Sequence, residues 1–278
     1  MHSDFFISGG ARQHFVEAGA GIPVVFLHPT PLDHFYWLPL IERLGGVRAI
    51  VLDLRGHGAS ELGDHLPVGG FGRVPHAPTL TMAQLADDTV KLFDQLGIYE
   101  AVFVGCSIGG YVLFELWRRI PERMRGLAFI CSKPQPDAEA NFVKRAAHIA
   151  KVRAGEREVF FDAMALASIG ATARAQHPDI VTELRARMAL TADAVVAVQA
   201  GLAVRPDSAP TIATISVPVF GIAGGEDVAV SPAEMEALRA APGGCELHLL
   251  PDAGHFAAYE QPDAVASLLA PWLKQFGA

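Results

Sequence analysis

The stretch Val102-Phe103-Val104-Gly105-Cys106-Ser107-Ile108-Gly109-Gly110-Tyr111 places G-x-S-x-G directly behind an apolar, β-branched run and directly ahead of a segment of helical period. The bare pattern says little; its position gives it weight. A strand that turns this sharply into a helix holds its serine in a strained backbone conformation, and small flanking residues let the neighbouring backbones approach. Gly105 and Gly109 supply that room. The turn lifts the Ser107 hydroxyl above the sheet. The helix from Ile108 points its free N–H groups at the same spot, where an oxyanion would be stabilised. The competing reading, a Gly-rich turn of a dinucleotide-binding unit, lacks G-x-G-x-x-G with an acidic residue about 20 positions later.

Outward from this bend, short runs rich in Val, Ile and Phe alternate with longer helical patterns. The runs cover 22–28, 48–54, 101–104, 127–132, 217–223 and 245–250. The helical patterns cover 37–44, 81–96, 108–120 and 231–240, with Thr81 as N-cap and Gly97 as stop for the second. This alternation predicts an α/β fold with a mostly parallel sheet of about eight strands covered on both faces. Residues 13–18 read as an antiparallel edge strand. Two stretches interrupt the pattern. Residues 62–79 hold four glycines and three prolines, so they form a long loop that either borders a pocket or is plain surface. Residues 134–210 carry helical patterns at 142–152, 157–167 and 179–188 without a convincing strand. They read as a helical lid inserted into a core made of 1–133 and 211–278.

Composition narrows the function. The 278 residues are 51% hydrophobic and 19% charged, with a mean hydropathy of +0.28, enough to bury one large core. A formal net charge of -8 is the wrong sign for nucleic-acid binding. Cys106, Cys131 and Cys245 lie far apart in apolar stretches, which supports neither a disulfide framework nor a metal framework and points to a reducing, cytoplasmic compartment. The start lacks signal-peptide regions and no 18 apolar residues run together, so neither secretion nor a membrane partner is expected.

A serine hydroxyl needs a base within hydrogen-bond reach, normally a histidine oriented by a carboxylate. His255 sits in Pro251-Asp252-Ala253-Gly254-His255-Phe256, just past the last apolar run, and Asp227 follows Gly224-Gly225-Glu226 just past the run before it. Both lie beyond strand C-termini, the rim where parallel sheets assemble sites. Glu226 is the adjacent rival acid, and either acid could simply cap the helix from Ser231.

The order Ser107, Asp227, His255 is that of the α/β-hydrolases, and the chain resembles that superfamily over nearly its whole length, in particular its 3-oxoadipate enol-lactonase-like and carboxylesterase-like members. The residues carrying the resemblance are His28-Pro29-Thr30-Pro31-Leu32-Asp33 with Trp37, Asp53-Leu54-Arg55-Gly56-His57-Gly58-Ala59-Ser60, the 105–109 bend, Pro121-Glu122-Arg123, and Ala253-Gly254-His255 with Glu260-Gln261-Pro262. The resemblance implies an α/β-hydrolase fold, Ser107 as nucleophile, His255 as general base and acid, and Asp227 as the orienting carboxylate. Its usual Gly-x-x-Asp matches Gly224 to Asp227 and favours Asp227 over Glu226.

The family's second oxyanion donor follows a His-Gly-x-Pro motif, which here reads His28-Pro29-Thr30-Pro31. Pro29 has no N–H, but the resemblance implies the following residue, Thr30, as the donor that joins Ile108, and the Thr30 hydroxyl is a further candidate donor.

The implied activity is hydrolysis of a carboxylic ester or lactone through an acyl-serine, with no metal and no organic cofactor. A nucleophilic aspartate, as in dehalogenases and epoxide hydrolases of this fold, is excluded by Ser107. Carbon–carbon bond hydrolysis, perhydrolysis and a non-catalytic ligand-binding role stay open. His28, His34, Trp37, Phe160, Met164 and Phe256 are the substrate-pocket candidates. His28 doubles as a loop buttress, and the aromatic and methionine side chains suggest a small, largely apolar substrate. His57 reads as structural, Cys106 as a small residue packed under the bend, and His28, Asp33 and His34 lack metal-ligand spacing. A monomer or homodimer is expected.

Overall fold

The computed structural model describes residues 1–278 except Phe71 and Arg73. Eight strands form the main sheet: β1 (His2–Ser8), β2 (Ala11–Gly19), β3 (Ile22–Leu27), β4 (Val47–Leu52), β5 (Ala101–Cys106), β6 (Met124–Ile130), β7 (Val219–Gly224) and β8 (Cys245–Leu250). Their order is β1-β2-β4-β3-β5-β6-β7-β8. Only the β1–β2 and β2–β4 pairs are antiparallel, and the other five are parallel. Every residue of β5 and β7 is buried, the result expected when helices cover both faces of a parallel sheet.

The longer helices are α1 (Met82–Gln95), α2 (Ile108–Arg119), α3 (Glu139–Arg153), α4 (Arg157–Ser168), α5 (Ala171–Gln176), α6 (Ile180–Ala186), α7 (Ala192–Ala203) and α8 (Pro262–Leu273). Thr81 caps α1 by accepting from the Gln84 N–H at 3.2 Å. Stacked pairs Phe93–Phe103 and Phe114–Phe129, with centroids 5.2 and 4.7 Å apart, fasten α1 and α2 to the central strands. Arg55 in the turn after β4 pairs with both carboxylate oxygens of Asp88 on α1, fully out of solvent. Removing either partner would leave a buried charge uncompensated, at about 3–5 kcal/mol.

Helices α3 to α7 lie between β6 and β7, and the residue-210 edge of the expected lid falls inside a short turn of helix, Ala209–Ile212. The 37–44 and 231–240 patterns are broken into short α and 3₁₀ turns: His34–Trp37 with Leu38–Ile41, and Pro232–Met235 with Glu236–Ala240. The 62–79 loop contains a two-residue ladder, Val68–Gly69 against Ala77–Pro78; its Phe71 and Arg73 lie outside the described residues. No helix of the described residues is long and apolar enough to cross a membrane.

Candidate active site

Ser107 connects β5 to α2 with φ 52° and ψ -116°, a positive φ that side-chain-bearing residues rarely adopt. The close approaches that the sequence pattern implied are present. A Cβ on Gly105 would meet the carbonyl carbon of Gly109 at 2.6 Å, and one on Gly109 would meet the Leu27 carbonyl oxygen at 2.1 Å. Beneath the bend, the Tyr36 hydroxyl donates to Cys106 Sγ at 3.2 Å. Burial holds the Cys106 thiol well above its usual pKa, so it stays protonated and contacts the His255 carbonyl at 3.7 Å. Cys131 makes the matching contact to the Gly254 carbonyl at 3.6 Å. Cys106 thus ties the histidine loop to the bend and Cys131 ties it to the end of β6, and all three cysteines are unpaired.

Asp227 follows β7 and His255 follows β8. The His255 Nδ1–H donates to Asp227 Oδ2 at 2.8 Å, while Asp227 Oδ1 accepts from the Ala229 and Val230 N–H groups at 2.7 and 3.1 Å. Burial alone would raise the Asp227 pKa, but His255 and these donors hold it below the ordinary carboxylate value. The same pair overcomes the burial that would depress His255 and holds the imidazole above its usual value. With Nδ1–H committed to Asp227, Nε2 is the basic nitrogen. Ser107 and His255 line one cavity of about 400 Å³. Among the described residues no hydrogen bond joins their side chains; such contacts commonly close only around substrate.

Glu226 does not compete for His255. Its carboxylate accepts from the Thr172 N–H and hydroxyl at 2.9 and 2.7 Å, on α5. Glu260 does related work from behind the histidine loop. It accepts from the N–H groups of Gly254 and Phe256, on either side of His255, at 2.8 and 3.0 Å, and from Gly170 N–H at 2.9 Å. The His255 N–H itself donates to the Ser168 carbonyl at 2.8 Å. The α4–α5 junction and the loops bearing Asp227 and His255 are therefore one hydrogen-bonded unit. Glu260→Gln is expected to turn one acceptor against backbone donors, lowering stability by about 1–3 kcal/mol and kcat by about ten-fold or more as the imidazole loses its fixed position. Thermal melts and steady-state kinetics check this, and an unchanged kcat would remove Glu260 from the positioning of His255.

On the other wall, the Thr30–Pro31 peptide is cis, and the Thr30 N–H has no acceptor among the described hydrogen bonds. The Ile108 N–H opens α2 and so has no carbonyl a turn below to bond. The Thr30 hydroxyl lies 2.9 Å from His57 Nε2, while His57 Nδ1 lies 3.0 Å from the Arg55 carbonyl. A carbonyl cannot donate, so Nδ1 carries the proton and the Thr30 hydroxyl donates to Nε2. That hydroxyl is spent on holding the loop, against the expectation of a spare donor. Burial pushes His57 down to about 4, keeping the ring neutral for this role.

Four pocket candidates lie elsewhere. His28 is fully buried and neutral, its pKa pushed by burial down to about 3, and it bridges the Pro29 carbonyl and the Leu54 N–H at 3.0 and 2.9 Å, so it acts as a buttress alone. His34 turns to Asp53, with Nδ1 at 2.9 Å. Trp37 packs on Phe26 and Phe256 on Tyr36 in the core. Phe160 and Met164 do line the cavity. No described residue of the 62–79 loop lines it; Gly72 instead lies beside the Phe142 ring of α3.

A larger open groove of about 700 Å³ around Trp117 and Pro210 contains none of Ser107, Asp227 or His255. Asp53, His14 and His34 bring potential metal-ligand atoms together, but both imidazoles meet the carboxylate through Nδ1, at 2.7 and 2.9 Å. The His34 and Ala59 N–H groups fill out its acceptors at 2.8 and 3.0 Å, making it a hydrogen-bonded hub under the loop.

The cavity is far more polar than the expected apolar pocket. Lys133, Asp137, Lys144, Arg145, His148 and Arg205 all face it. Lys144 and Lys151 fall at i and i+7 on α3 with the His148 ring between them at i+4, a polar stripe with two cations whose spacing is a visible sequence signal.

The alpha/beta hydrolase family model matches residues 24–268. Bifunctional epoxide hydrolase 2 of Sus scrofa is 31% identical over 129 residues, which are 46% of this chain and 21% of that protein. The chain thus spans about a fifth to a quarter of the length of the first curated relatives it matches, at 21%, 24% and 23%. A thermophilic esterase from Thermogutta terrifontis superposes with a TM-score of 0.88 at 29% identity, over all of both chains. The enol-lactonase of Burkholderia xenovorans shares the fold, with a TM-score of 0.85 at 24% identity over 98% of this chain and 100% of its own. With about nine-tenths of the chain, residues 24–268, inside the matched region and the bend, cavity and strand order all in place, the chain belongs to the alpha/beta hydrolase family.

Proposed function

We propose that this protein is a serine hydrolase that cleaves a carboxylic ester or lactone bond of a small substrate through an acyl-serine intermediate. The observation that carries this reading is the positive-φ Ser107 opening into the same cavity as a His255 whose Nδ1 is held by Asp227. In the first half-reaction, His255 Nε2 takes the Ser107 proton as Oγ attacks the carbonyl carbon, and the Thr30 and Ile108 N–H groups receive the negative charge. His255 then gives that proton to the departing alkoxide. Water enters, His255 takes its proton, and the acyl-serine is hydrolysed, returning the proton to Ser107. The 29% identical esterase supports ester chemistry. Ser107 at the bend of this chain favours an acyl-serine route over a nucleophilic aspartate. The unpaired thiols fit a reducing, cytoplasmic setting.

A fluorophosphonate probe tests the reading directly. Covalent labelling located to the Ser107 peptide by mass spectrometry is expected. A folded protein that resists the probe would point to the non-catalytic, ligand-binding alternative.

A further inference from the structure

The charge on the cavity wall opposite the bend is not balanced. Asp137, 7% exposed, receives Arg145 through Nε and through Nη2 at 3.3 Å, and Arg205 through Nη1 at 2.6 Å. Two guanidinium groups therefore share one carboxylate. Arg205 is only 6% exposed, and its Nε–H has no partner among the described residues. A buried donor on a charged group is normally taken by a water, an ion or a ligand. Its guanidinium lies 4.5 Å over the ring of Tyr111, four residues past Ser107, which fixes it above the nucleophile's helix. Arg145 Nη1 also meets Gln199 Oε1 at 3.2 Å, so the fork is held in place from α7.

Asp137 is the only acid among the described residues that line the cavity, so the excess is not neutralised there. Lys133 is taken up by Glu234 at 2.5 Å, and Lys144 and Lys151 at the rim have no ion-pair partner among the described residues. The field is local, for the whole chain carries a formal charge of -8. A cationic cleft on an anionic surface concentrates anions where the protein otherwise repels them. Burial together with Arg145, Lys151 and Lys144 also depresses the His148 pKa, so that ring adds hydrogen bonding and no charge near neutrality.

We propose that the cavity is built for an ester or lactone that carries a carboxylate, with the anionic end gripped by Arg145 and Arg205 while the scissile carbonyl lies at Ser107. This rests on the serine-hydrolase reading and narrows its substrate class. Beyond their bonds to Asp137, Arg145 and Arg205 keep further guanidinium N–H groups that suit a carboxylate, and the partly dry wall strengthens the contact.

The test compares monoethyl succinate and monoethyl glutarate with their diethyl esters. The half-esters are expected to have a kcat/KM at least about ten-fold higher, in the range that one charge-assisted hydrogen bond supplies, falling as salt is added. Arg145→Gln is expected to collapse that ratio about ten-fold or more, mostly through KM. Arg145 is the better choice because Arg205 also holds the carbonyls of Leu202 and Gln135 at 3.0 and 3.1 Å, so its loss risks the fold. Calorimetric binding of succinate, which needs no turnover, should exceed that of succinamide by a similar factor and weaken in Arg145→Gln. A probe-labelled, folded enzyme that prefers the diesters, or binds succinate and succinamide alike, would overturn the anionic assignment and leave the serine reading standing. Loss of labelling would instead strike the serine reading, and succinate binding would still decide the wall.

Discussion

Replacing Ser107 with alanine is expected to lower ester hydrolysis by about four to six powers of ten, the scale on which removing a triad serine acts elsewhere. The variant should still bind substrate, because the cavity wall and the two N–H groups proposed as oxyanion donors are untouched. Melting behaviour separates this from a folding defect. The Ser107 side chain makes no hydrogen bond among the described residues, so Ser107→Ala should melt close to wild type. Ser107→Gly should be equally inactive yet more stable than the alanine variant. A non-glycine residue at φ 52° and ψ -116° carries about 1–3 kcal/mol of strain. Glycine releases it while giving back only about 0.5–1 kcal/mol of unfolded-chain entropy. Near wild-type hydrolysis by the alanine variant would end the assignment of Ser107 as nucleophile.

That strained bend was the most legible part of the molecule because its demands are local. Gly105 and Gly109 are needed within a few residues of Ser107, so a linear pattern carries them. The buried parallel strands were legible for a similar reason, since covering both faces forces continuous apolar runs. Strand β1 escaped notice because it is an edge strand with its first four residues exposed, leaving little hydrophobic pattern to read. Helix α7 escaped for the opposite reason: all but its first two residues are buried, so it has no polar face to set a period. The cavity was misjudged because its character depends on residues far apart in the chain. Asp137 meets Arg145 and Arg205 only when the 134–210 helices pack together. Histidine count misled in the same way. His28, His34 and His57 lie in the loops nearest the site, yet each is turned to a structural acceptor or donor that no spacing reveals.

The adjacent acids Glu226 and Asp227 give the second large effect. Asp227→Asn is expected to reduce kcat by about ten-thousand-fold, because an amide in that place can favour the imidazole tautomer that puts the proton on Nε2 and leaves no base for Ser107. Glu226→Gln should stay within about ten-fold, since Glu226 reaches only Thr172 on α5. The pH profile provides a second, independent readout. General-base action needs neutral His255, so kcat/KM rises with pH through the His255 pKa. Wild type, with that pKa raised above its ordinary 6.5 by Asp227 despite burial, should show its acid limb above that value. Removing the Asp227 charge takes away the raising influence and leaves burial, so the residual activity of Asp227→Asn should show an acid limb moved to lower pH. Glu226→Gln should leave the limb where it was, because Glu226 is not among the groups that raise His255. If Glu226→Gln instead produced the larger loss and the shifted limb, the orienting carboxylate would be Glu226 and the 2.8 Å contact from His255 Nδ1 to Asp227 would be incidental.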